Sequence, residues 1–178
     1  MANLYETNAD NTCRFVLGKY GEKPLICMGV NPSTATDIND DNTIKAVAAT
    51  VENNKADYDG YIMLNVYPLR ATNPDDLPDD ANDRYIEENL QHIEAILKSL
   101  PVEHRTIWAA WGSLIEKRKY LSDSLKKIIA LADEYDCKWV KKDQGKRTFK
   151  HPHHPLYLAA NEPLKEMNIS EYCQTELK

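Results

Sequence analysis

The sequence lacks long hydrophobic runs, paired cysteines and an excess of positive charge. No stretch approaches the roughly 20 apolar residues that a membrane span needs, and residues 1–11 contain no apolar run resembling a secretory signal. We therefore expect a cytoplasmic protein. The cysteines are too scattered for the usual zinc, redox or disulfide motifs. We expect free thiols at all four positions, namely Cys13, Cys27, Cys137 and Cys173.

The net charge of −6 argues against tight binding of nucleic acid over the whole surface, because that binding requires several positioned cations. The charge is unevenly distributed, however. Residues 75–94 are mainly acidic, whereas residues 138–154 contain six Lys and Arg side chains and one acid. This basic segment is either a solvated loop or a phosphate-facing surface. In the second case the nucleic acid would contact Lys142, Lys146, Arg147 and Lys150.

Short apolar runs predict the strands. Residues 24–30, 61–66 and 106–111 are nearly continuous in apolar side chains, the pattern of strands that are buried on both faces of a parallel sheet. Residues 14–17 and 138–141 are weaker strand candidates. We therefore expect a mostly parallel sheet of four or five strands.

Helical patterns alternate with these strands. Apolar residues recur at helical spacing over residues 44–51, 86–97 and 121–132, and Asp41 or Asn42 can cap the first helix. A chain of 178 residues with 42% hydrophobic residues can enclose one sizeable core. The sequence thus predicts a single three-layer α/β/α domain over residues 1–178.

Four segments with unusual residues follow predicted strands. Open parallel sheets bind ligands beyond the carboxyl ends of their strands, so these segments predict the site. They are residues 29–33, 65–70, 111–112 and 151–157.

The first segment contains Asn31, two residues after Gly29 and directly before Pro32, where the chain must turn. Its amide could position a water molecule or read a polar edge of a ligand, while Ser33 and Thr34 could donate to an oxyanion. The alternative is an asparagine that only caps its own turn. The acids that follow, Asp37, Asp40 and Asp41, could bind a divalent cation, act as a general base, or remain solvated before a helix.

The second and third segments suit the walls of a pocket. Tyr67 could stack on a planar ring, and Arg70 could anchor an anion or pair with a surface acid. Trp111 and Gly112 precede a predicted helix, whose backbone N–H groups could face a ligand; close packing of the glycine is the alternative.

The last segment concentrates three of the five histidines, His151, His153 and His154, in a proline-stiffened loop. A zinc site is conceivable, but no cysteine or second histidine cluster completes four ligands. We expect no metal and no cofactor. A neutral His154 that donates to a polar ligand atom is the favoured interpretation.

Together the segments resemble a bacterial and phage family, domain of unknown function 1643. The resemblance runs from about Cys13 to Leu158 and implies little about function. The matching positions are residues 31–35, 40–44, 65–72, 110–112 and 154–158.

A more distant resemblance is to the uracil-DNA glycosylase superfamily, which has a strand followed by Gly-x-Asn-Pro and a later His-Pro loop. It implies a compact α/β/α fold in which Asn31 positions water and His154 stabilises the departing base. His151-Pro152 is a rival match to the His-Pro loop. The resemblance also implies substrate-binding residues, which would be Gly29, Ser33, Thr34, Asn65, Tyr67, Arg70, Trp111, Gly112, His151 and Tyr157.

Three functional hypotheses follow. The first is a glycosylase-like protein that hydrolyses or recognises an N-glycosidic bond of a base in DNA or a nucleotide. The second is a non-catalytic nucleic-acid or nucleotide-binding protein of the same fold. The third is a metal-assisted hydrolase that uses the acids of residues 37–41 and the histidines. The first requires that Asn31 and His154 face a common cleft.

Overall fold

The computed structural model of the chain describes residues 2–143 and 149–177. In these residues one sheet of seven strands has the spatial order β1-β2-β4-β3-β5-β6-β7. The strands are β1 (Ala2–Thr7), β2 (Arg14–Tyr20), β3 (Pro24–Gly29), β4 (Gly60–Asn65), β5 (Thr106–Ala109), β6 (Lys138–Lys141) and β7 (Lys165–Glu166). The α-helices are α1 (Asn42–Asn53), α2 (Asp83–Ser99), α3 (Lys119–Glu134) and α4 (Ile169–Glu176).

The sheet is mixed, with a parallel centre. Strands β3 to β6 are parallel, whereas β1, β2 and β7 pair antiparallel with their neighbours. All five predicted strands are present. The predicted number of four or five mostly parallel strands was too low. Strand β1 has no continuous apolar run and β7 has only two residues, both exposed, so neither carries a readable hydrophobic pattern.

Helices cover both faces of the sheet, as predicted. On one face α1 packs Ile44 and Val47 into a buried cluster with Cys27 and Trp108. On the other face α2, α3 and α4 contribute to a second, larger cluster. Helix α1 starts after Asp41, whose Oδ1 accepts a hydrogen bond from Ile44 N at 2.9 Å, which confirms the predicted cap.

The cysteines and the helices bear on two expectations that were drawn from composition. All four cysteines are free, and complete burial raises the pKa of the Cys27 thiol far above its ordinary value. Cys27 is therefore a packing residue. No helix in the described part of the chain has the length and apolar character of a membrane span.

The direction of β2 determines what lies at the site. Parallel strands β3, β4 and β5 end at one edge of the sheet. Because β2 runs antiparallel to β4, its first residue lies at that same edge. Arg14 therefore joins the loops that follow the parallel strands.

Candidate functional site

A cavity of about 400 Å³ lies at this edge of the sheet. Its volume is within the range of small-molecule pockets, roughly 300–1,000 Å³. Asn31 and His154 both line it, as the glycosylase hypothesis requires. The predicted residues Gly29, Ser33, Thr34 and Tyr157 line it too, together with Arg14, Val30, Asp41, Asn42, Thr43, Ile44, Met63, Ala71, Thr72, Leu114 and Leu156.

The amide of Asn31 is held in one orientation. Its Nδ2 donates to Ala71 O at 2.8 Å and to Pro32 O at 3.1 Å, which ties the loop after β3 to the loop after β4. Both amide hydrogens are thus used, and Oδ1 has no hydrogen-bond partner among the described residues. Asn31 both stabilises its turn and lines the cavity, and the group of its amide that is left free is an acceptor.

Asp41 brings a carboxylate to the same cavity. It is the only acid among the described lining residues, and Oδ1 is occupied by the cap of α1. The preceding acid, Asp40, instead pairs with Lys19 at 3.2 Å, and Asp37 is exposed. In residues 2–143 and 149–177 no three His, Cys, Asp or Glu side chains come together as metal ligands.

His154 lies in the cavity wall as a neutral imidazole. Burial lowers its pKa below the ordinary value, and the negative charge of Asp41 only partly opposes this shift. Its Nδ1 accepts a hydrogen bond from Leu156 N at 3.4 Å. The single ring proton of the neutral form is then on Nε2, so His154 is a hydrogen-bond donor.

Gly112 positions the loop that carries His154. Its φ is +63°, and its N–H donates to Pro152 O at 2.8 Å. A Cβ at this position would lie 3.4 Å from the Cβ of His154. The positive φ favours glycine at this position, and its N–H is used within the protein. A 3₁₀ helix, Gly112–Glu116, begins here.

A buried hydrogen-bond network fixes His151. Trp111 Nε1 donates to the hydroxyl of Tyr172 at 2.9 Å, and the same hydroxyl forms a hydrogen bond of 2.7 Å with His151 Nδ1. His151 Nε2 lies 3.2 Å from Glu116 Oε1, although the two groups are not aligned for a hydrogen bond. Trp111, Gly112 and His151 line a neighbouring cavity of about 560 Å³, which shares His154 and Tyr157 with the first.

Replacing Tyr172 with phenylalanine is expected to lower the free energy of unfolding by about 2–4 kcal/mol, because two buried polar groups, on Trp111 and His151, lose their partner. Urea denaturation measures this effect. Tyr157→Phe is the matched control, since Tyr157 is 71% exposed. Equal stability of the two variants would contradict a structural role for the network.

Two predicted ligand-binding side chains are structural instead. Tyr67 is completely buried, and its hydroxyl accepts a hydrogen bond from Asn82 N at 3.0 Å, so it cannot stack on a ligand. Arg70 donates from Nη1 to Ser33 O at 2.6 Å and from Nη2 to Tyr5 Oη at 2.7 Å. It borders a cavity of about 360 Å³ beside the first. Arg70 fastens the loop after β3 and forms no ion pair among the described residues.

Asn65 was predicted to bind substrate but does not line the cavity. It is completely buried, and both atoms of its amide lack a hydrogen-bond partner among the described residues. A Cβ added to Gly29 would lie 2.7 Å from Met63 Cε and 3.1 Å from Asn65 Oδ1. The absence of a side chain at Gly29 therefore leaves space for both of these side chains.

Two of the four cations predicted to contact nucleic acid have partners within the protein. Lys142 is buried, and its Nζ donates to Thr50 Oγ1 at 2.8 Å and Ala160 O at 2.9 Å, so the predicted phosphate contact is wrong. Lys150 is exposed but pairs with Glu116. The other two predicted contacts, Lys146 and Arg147, lie outside the described residues.

The residue that the sequence reasoning missed is Arg14. It lines the cavity although it is only 2% exposed, and Nη1 donates to Ala35 O at 3.1 Å. Burial and the neighbouring charge of Arg70 lower its pKa to about 10, so the guanidinium is still charged at neutral pH. The signal that could have found it is a charged residue at the start of an otherwise apolar strand.

The fold and the site define an α/β protein with a helix-covered mixed sheet and a polar cavity at the carboxyl edge of its parallel strands. The chain belongs to the family described as Protein of unknown function (DUF1643), whose model matches residues 14–156. The match includes Arg14, Asn31, Asp41 and His154. No curated protein sequence and no solved structure matches the chain.

Proposed function

We propose that the protein hydrolyses the N-glycosidic bond of a base carried by a nucleotide or by DNA. The observation that carries this proposal is the convergence of three groups on one cavity. Asn31 offers an amide oxygen, Asp41 a carboxylate and His154 an N–H donor. Hydrolysis of this bond needs a positioned water, an acceptor for its proton and a donor for the departing base.

The chemistry divides among these groups. The bond between the anomeric carbon and the base nitrogen breaks with its electron pair on the base, which leaves an oxocarbenium-like sugar. A water held by Asn31 Oδ1 adds to the anomeric carbon and passes its proton toward Asp41. The neutral His154 donates from Nε2 to an oxygen of the base, where negative charge builds up. A proton then reaches the base nitrogen, so the products are the free base and the sugar with a new hydroxyl.

The loop residues around His154 suit a planar base. Leu114, Leu156 and the largely exposed Tyr157 border the cavity near His154. Apolar and aromatic side chains bind the faces of a base, and the imidazole reads its edge. The adjoining cavity of about 560 Å³ continues from this wall and gives a departing base room.

The test is release of free base, measured by chromatography, from a panel of nucleosides, nucleotides and oligonucleotides with ordinary, deaminated and mismatched bases. We expect release from at least one member. Asn31→Ala is expected to lower that rate about 10–100-fold, because the water loses one fixed acceptor.

The matched control is Asn39→Ala, an exposed asparagine of the same loop that does not line the cavity. It is expected to leave the rate unchanged. Binding of a panel member without any base release would favour the non-catalytic alternative, a nucleotide-binding protein of the same fold. Neither binding nor release across the panel would refute the proposal.

A further inference from the structure

We infer that Arg14 binds the phosphate of the ligand, so that the substrate is a free nucleoside monophosphate rather than a base within a DNA strand. This inference rests on the proposed function for the base and sugar. The phosphate site itself is argued from the surroundings of Arg14.

Arg14 lines the cavity and leaves several guanidinium donors unused. Nη1 donates to Ala35 O, whereas Nε has no partner, and Nη2 makes no hydrogen bond to a described residue. No carboxylate of residues 2–143 and 149–177 lies within ion-pair distance of the Arg14 guanidinium. A buried guanidinium with unused N–H groups is costly unless an anion fills its fork.

A second arginine adds to the positive charge. Arg70 also donates to Ala35 O, at 3.2 Å, so two guanidinium groups converge on one carbonyl oxygen. Like charges this close repel each other. Both Nη groups of Arg70 donate within the protein and only its Nε has no partner, whereas Arg14 donates a single hydrogen bond, from Nη1. The anion therefore binds to Arg14 and relieves the repulsion between the two.

Neutral donors complete the subsite. Ser33, Thr34 and Thr72 are in the wall near these arginines and border both the main cavity and the one beside Arg70. Hydroxyl groups donate to phosphate oxygens without adding charge. Asp41 lies near enough to Arg14 to favour its charged form, but its carboxylate forms no ion pair with it. The negative charge of Asp41 discourages binding of a second phosphate.

The order of the strands matches the shape of a nucleotide. Arg14 starts β2 and His154 packs on the glycine after β5, with β4 and β3 between them. Three strand spacings separate the two ends, about 14 Å. Asn31, which follows β3, lies between these ends. This strand order allows a nucleotide to lie with its phosphate at Arg14, its sugar at Asn31 and its base at His154.

Isothermal titration calorimetry with nucleosides, their 5′-monophosphates and inorganic phosphate tests the inference. We expect the best monophosphate to bind at least 10-fold more tightly than its nucleoside, and inorganic phosphate to compete with it. Arg14→Gln is expected to abolish this preference. Arg84→Gln is the matched control, because Arg84 is exposed and does not line the cavity.

The wild-type measurements keep the test decisive if Arg14→Gln does not fold. Equal affinity for nucleoside and monophosphate, or tighter binding of an oligonucleotide with the same base, would overturn the inference. Base release from nucleosides alone would overturn it while the proposed function stands. Tight monophosphate binding without base release would leave the phosphate site in place and refute the proposed function.

Discussion

Replacement of His154 with alanine is expected to lower kcat for base release about 10²–10³-fold, the usual effect of removing one donor to a developing negative charge. The reason is the position of its proton: Nδ1 accepts from Leu156 N, so Nε2 carries the hydrogen that stabilises the departing base. Single-turnover release of base from the best substrate of the panel measures this rate directly.

The matched control is His153→Ala in the same loop. His153 stacks edge-on against Phe149 and lines only the neighbouring cavity. It is expected to change the rate little. The lowered pKa of His154 adds a pH signature: the neutral donor is already dominant at pH 6.5, so the rate stays level up to pH 8. A rate that falls with rising pH would instead identify a protonated imidazole acting as the acid.

The parallel centre of the fold was readable from the sequence because its strands are buried on both faces. The runs before Gly29 and Asn65 are apolar at nearly every position, which only a covered parallel strand requires. The edge strands carry no such signal. Strand β1 is only half-buried, and β7 is held by two residue pairs with β6, so tertiary contacts rather than local pattern specify them.

The direction of β2 explains why Arg14 was missed. A strand at residues 14–17 was predicted, but in a parallel sheet its first residue would lie at the edge opposite the site. The antiparallel pairing with β4 reverses this and brings Arg14 to the cavity. Strand direction depends on the connection between strands, and local hydrophobicity does not encode it.

Burial also separates the predicted site residues that line the cavity from those that do not. Asn31 and His154 were predicted from residue type and position, and both line the cavity. Tyr67 and Lys142 have equally suitable chemistry, yet both side chains point into the protein and have internal hydrogen-bond partners. A loop sequence identifies which groups are near a strand end. Only packing decides which of them face a ligand.

The carboxylate of Asp41 gives the other large expected effect. Asp41→Asn is expected to lower kcat about 10²–10⁴-fold, because the attacking water loses its proton acceptor. Asparagine caps a helix as well as aspartate does, so α1 and the overall stability should be unchanged. The substitution thus separates the chemistry of the carboxylate from its role as the cap of α1, and single-turnover kinetics beside urea denaturation measure both.

Asp40→Asn is the control for Asp41→Asn, because the neighbouring acid pairs with Lys19 and does not line the cavity. Its rate should match that of the wild type. Removal of the negative charge near Arg14 should also leave the affinity for a nucleoside monophosphate equal or tighter, so the loss falls on kcat rather than on binding. If Asp41→Asn kept the full rate, Asp41 would be only a helix cap. No carboxylate of this cavity would then accept the proton of the attacking water.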